Sequence, residues 1–157
     1  MELATDTVIK VELMVASETV TPDEVAARLG VAPDRAVLRG ERRTPRSPAS
    51  RFNRWELDLA TGSSVMRIDD ACAKLAALGD QVALSLGAIV REKNVSAAMV
   101  IVQRVTDPSD PQQYGIAISA AAVCWLGIAG ASISIDQYLP EIEFDGQPRA
   151  EGTSELD

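Results

Sequence analysis

The chain has 157 residues, 46% of them hydrophobic and 24% charged, with a net charge of −8 and no histidine. Those proportions suit one domain with its own core. The missing imidazole excludes Ser-His-Asp and Cys-His catalysis and histidine-held zinc, leaving acid–base work to carboxylates, Lys10, Lys74, Lys93 or a tyrosine.

Residues 7–16 alternate, with Ile9, Val11, Leu13 and Val15 on one side and Lys10 and Glu12 on the other, which predicts a half-buried strand. Thr21-Pro22-Asp23-Glu24 is a helix start: Thr21 caps, Pro22 suits the first helical position and Glu24 completes a capping box. Val25 and Leu29 give that helix its apolar stripe, Gly30 ends it and Pro33 bars its continuation. A short second strand follows over 35–40. Residues 41–52, with Pro45 and Pro48, read as a loop of a length that is usually functional or mobile. Trp55, Leu57 and Leu59 alternate with Glu56 and Asp58 in a third strand over 53–60, with Trp55 expected in the core.

Residues 65–92 carry Ile68, Cys72, Leu75, Gly79, Val82 and Leu86 on one helical face, and Gly79-Asp80 is expected to break the segment, with Asp80 capping the second part. Residues 97–105 are apolar on both faces in their first half, as in a central strand. A loop with two Asp-Pro signals spans 106–113, Ser119 caps a helix over roughly 120–129, and a last strand runs from Ile133 to about 139. The order β-α-β-β-α-β-α-β predicts an α+β fold: a mixed or antiparallel sheet of about five strands with helices packed on one face. Its first and last units share a strand–helix–strand pattern. The domain is taken as residues 1–140 and the acidic residues 141–157 as a disordered tail.

The order and spacing of Thr21-Pro22 through Leu29-Gly30, Pro33, Gly40-Glu41, Trp55-x-Leu57 and Ile133-x-Ile135-Asp136-x-Tyr138 resemble the bacterial family numbered 4279 among the domains of unknown function. The resemblance spans about residues 9–139. It implies a small stand-alone bacterial cytosolic protein and carries over no activity, cofactor, partner or site residue.

Cys72 and Cys124 lie at no metal-ligand spacing and are expected to be free, buried thiols. No phosphate-binding glycine motif occurs, and neither a cofactor nor a metal is expected. Met1–Asp6 lacks the basic and apolar regions of a signal peptide, and 115–135 is read as core rather than as a membrane span, so a cytoplasmic protein is expected.

Charge is uneven. Residues 39–54 hold six arginines against Glu41 alone, a local +5 on a remainder of −13. Guanidinium forks match carboxylates and phosphates and are enriched at interfaces, so Arg42, Arg43, Arg46, Arg51 and Arg54 are candidate contact residues. Asp136 and Tyr138, on the polar side of the last strand, are added as groove-lining candidates. The expected function is a non-enzymatic binding protein that contacts another macromolecule in an immunity-type or regulatory role. The alternative is a binder of a small anionic or nucleotide-like ligand, with enzymatic activity left open, acting through the arginine loop. A protein partner and a homodimer through an exposed strand edge are both compatible with the pattern. Nucleic acid is disfavoured by the acidic body.

Overall fold

β-Branched and aliphatic residues at every second position set the central strand. In the computed structural model, which describes residues 8–63 and 67–140, β1 (Ile9–Ser17) buries Ile9, Val11, Leu13, Val15 and Ser17 on one face. It pairs antiparallel on one side with β3 (Asn53–Gly62) and on the other with β4 (Ser96–Arg104). A short β2 (Arg35–Val37) adds antiparallel to β3, and β5 (Ser132–Tyr138) adds parallel to β4. The sheet order is β2-β3-β1-β4-β5, which makes the fold α+β with a mixed five-stranded sheet. Up to β4 this is the split βαβ, ferredoxin-like order, with a final helix and parallel strand appended. The two strand–helix–strand units therefore differ. β4 and β5 are neighbours, whereas β3 separates β1 from β2.

The register of β1 on β3 slips between Val11 and Glu12, where Leu59 is the extra residue of β3. Beyond the slip, Leu13 faces Leu57 and Val15 faces Trp55 towards the helices, while Glu12, Met14 and Ala16 face Asp58, Glu56 and Arg54 on the other side.

Among the described residues four α-helices cover one face. α1 (Pro22–Leu29) starts with the expected capping box and ends on Gly30 in the left-handed conformation. α2 (Arg67–Ala77) and α3 (Asp80–Lys93) meet at 85°. The break falls where expected but its capping does not. Gly79 holds the N-cap position at φ +87, with no side-chain cap, and Asp80 is the first helical residue. A positive φ there needs glycine, so the backbone rather than a carboxylate starts α3. α4 (Ala120–Ala129) is capped by the Ser119 hydroxyl, which accepts from Ala122 N–H at 3.2 Å. Its Trp125 indole N–H donates to the Gly79 carbonyl at 3.0 Å, fixing α4 on the α2–α3 break.

The core lies between sheet and helices, centred on Ile9, Leu13, Trp55, Leu75, Leu86 and Ile101. Cys72 is buried and free, but Cys124 is exposed. In a helix without a polar residue, sequence does not reveal which side meets the core, and Ala122, Trp125, Leu126 and Ala129 take it. No single helix among the described residues is long and apolar enough to cross a membrane. The tail expected over 141–157 lies outside the described residues.

Candidate functional site: a cationic groove on the open sheet face

The face of the sheet away from the helices bears the strands' alternate, polar positions. All five strands contribute to a groove of about 530 Å³: Lys10 and Glu12 from β1, Arg35 and Val37 from β2, Arg54 and Glu56 from β3, Val102 and Arg104 from β4, and Tyr138 from β5. Arg43 reaches it from the loop before β3. Five cations and two carboxylates line the groove, a local excess of three positive charges on a chain of net −8.

The two carboxylates organise the cations. The side chain of Glu56 is 4% exposed; it takes the Arg35 Nε–H and lies 3.5 Å from Arg54 Nη1. Glu12, 12% exposed, lies 2.6 Å from Lys10 Nζ and 3.2 Å from Arg35 Nη2. Arg35 thus bridges both. Burial works to lower its pKa, but the Glu56 hydrogen bond and the charges of Glu56, Glu12 and Asp58 outweigh that and raise it. Its charge is permanent at any physiological pH. Carboxylates with so little water access need such partners, because an unpaired buried charge is costly.

What remains is a set of unused donors. Among the described residues, the side chains of Arg43 and Arg104 have no ion pair or hydrogen bond, and the buried Nε of Arg54 has no acceptor. A buried donor left unmatched beside two free guanidinium groups is what an incoming anion would complete. Among the described residues no cluster of histidine, cysteine or carboxylate side chains suits a metal ion. The lining offers guanidinium, ammonium and carboxylate groups with one phenol, side chains suited to engaging charged groups.

A model of the domain of unknown function DUF4279 matches residues 7–140. The chain belongs to the DUF4279 family. No curated protein and no solved structure matches it. The matched span runs from just before β1 to just after β5, so the groove, drawn from all five strands, lies wholly within the DUF4279 domain.

Of the residues singled out by sequence, Arg43, Arg54 and Tyr138 line the groove of this DUF4279 domain. Arg42 instead ties down the loop: Arg42 Nη1 donates to the Ser47 carbonyl at 2.9 Å, and Arg42 bridges Ala49 across the loop. Gly40 N–H to Ser50 O at 2.8 Å and Ser50 N–H to Glu41 O at 2.7 Å close it into a small hairpin. Arg46 and Arg51 are exposed and stand outside the groove lining. Asp136, opposite Val102, shares the open face but not the lining. Sequence reasoning missed Lys10, Glu12, Arg35, Glu56 and Arg104 as site residues. Their signal was present as charges at alternate strand positions, but in a single strand that pattern is the ordinary mark of a wet face.

Proposed function

We propose that this protein is a binding module whose open sheet face captures an anionic small molecule bearing carboxylate or phosphate groups. The observation that carries the reading is the pair Arg43 and Arg104, unmatched on the walls of a groove whose other cations are already held by Glu12 and Glu56. The groove's volume lies within the range of small-molecule sites, roughly 300–1,000 Å³. Among the described residues Tyr138 is its only aromatic side chain, which speaks against a base-stacking nucleic-acid platform.

The test is a thermal-shift and calorimetric panel of inorganic phosphate, nucleoside phosphates and di- and tricarboxylates at low salt. At a ligand concentration about a hundredfold above Kd, Tm should rise by on the order of 5–10 °C. R43A and R104A should remove the shift, and 1 M salt should weaken it, because screening falls to about 3 Å there. A flat panel with the wild-type chain overturns the reading.

A second reading keeps the binding role but makes the occupant an acidic segment of another macromolecule, in an immunity-type or regulatory setting within a bacterial cytoplasm. It is favoured by the exposure of Arg42, Arg46 and Arg51 beside the groove, which extends positive charge past the footprint of a small ligand. Replacing Arg46 and Arg51 by alanine, which leaves Arg42 to hold the loop, keeps small-anion binding unchanged on the first reading and weakens the partner on the second.

A further inference from the structure

We infer that this chain self-associates through β5, two copies pairing antiparallel about a two-fold axis at Ser134 so that one sheet runs through both. This inference is independent of the ligand reading.

The two sheet edges differ. β2 is three residues long and starts with a charged Arg35, the usual ways of blunting an edge. β5 is seven residues long, and its register on β4 is unbroken from Ala98↔Ser132 to Arg104↔Tyr138. It contains no proline and no lysine or arginine, and Asp136 is its sole charge. The Tyr138 carbonyl accepts from Val105 N–H at 2.9 Å and so points towards β4. By strand alternation, Ile133, Ile135 and Gln137 then direct their main-chain N–H and C=O groups outward.

The side chains agree with that edge. Ile133 and Ile135 pair in register with the buried Met99 and Ile101, so they lie on the helix side, yet they are 42% and 47% exposed. In the same layer, α4 has no polar residue in its ten and leaves Val123 and Ile128 exposed. A helix apolar all round is ordinarily covered all round.

The edge's own pattern fits a second copy of this chain and sets its orientation. Antiparallel pairing about Ser134 sets Ile133 opposite the partner's Ile135 and Asp136 opposite the partner's Ser132. Parallel pairing of the same edge does not form a ladder, because each bonding residue of a parallel pair faces one whose main-chain groups point away, whereas a two-fold along β5 would set outward-pointing residues opposite each other. The two-fold axis then stands perpendicular to the sheet, and both grooves open on the same side.

Sedimentation velocity on the full chain, from micromolar to several hundred micromolar, should show a species of twice the chain mass. I133K, which places a charge among the apposed isoleucines, and I135P, which removes an outward N–H without touching a β4–β5 hydrogen bond, should both give monomers with unchanged far-UV circular dichroism. S134C in a C124S background should form a disulfide-linked dimer under mild oxidation, because residues facing each other across the axis lie within disulfide reach. A wild-type chain that stays monomeric throughout, or a dimer that survives both I133K and I135P, overturns the proposal.

Discussion

Glu56 shows what a single buried carboxylate does here. It stands on β3 between Arg35 and Arg54, nearly closed to water, and holds the guanidinium groups at the groove floor. E56Q keeps the shape and removes the charge. The full penalty for breaking a buried pair is about 3–5 kcal/mol, but Arg35 is more than a third exposed and solvent screening discounts it. A loss of about 1–3 kcal/mol in urea unfolding is expected, and no measurable loss would show that the pair is energetically idle. At the head of α1, Glu24 accepts from the Thr21 backbone N–H at 2.7 Å, which holds its pKa below the ordinary 4.5, with the Thr21 hydroxyl adding to the effect. A carboxylate with a lowered folded pKa stabilises the fold above its unfolded pKa and loses that effect as pH falls through the folded value. Wild type should therefore exceed E24A in stability at pH 7, with the gap closing below about pH 4.

Two glycines in neighbouring helices make opposite predictions at the scale of elements. A Cβ on Gly87 of α3 would lie 2.5 Å from the Ile128 carbonyl of α4. G87A should destabilise by about 1–3 kcal/mol through overpacking, despite the better helix propensity of alanine. Gly127 of α4 has nothing within 4 Å of such a Cβ and no positive φ. G127A should gain up to about 1 kcal/mol. Denaturant midpoints of the two variants, read side by side, separate a packing role for glycine from a mere gap in propensity. Equal signs would show that α3 and α4 do not approach as closely as Gly87 requires.

Across the whole molecule, the distribution of charge matters more than its total. A net −8 suggests a protein that repels anions, yet the open sheet face gathers an excess of three positive charges into one groove. Association with an anion should therefore be salt-dependent but local, because screening in physiological salt confines the field to about 8 Å. Sequence by itself determined what is local: the alternation of β1 and β3, the caps at Thr21 and Ser119, the stop at Gly30 and the break at Gly79. Each depends on a few neighbouring residues and their dihedral preferences, so the chain's linear order displays it. It also located the arginine loop that supplies Arg43. Only the tertiary structure decided that Lys10, Glu12, Arg35, Arg54, Arg104 and Tyr138 share one face, that Cys124 lies outside and that β5 is an open edge. Those outcomes turn on which strands pair and which side of an all-apolar helix is covered, and both are set by burial energies between segments far apart in the chain.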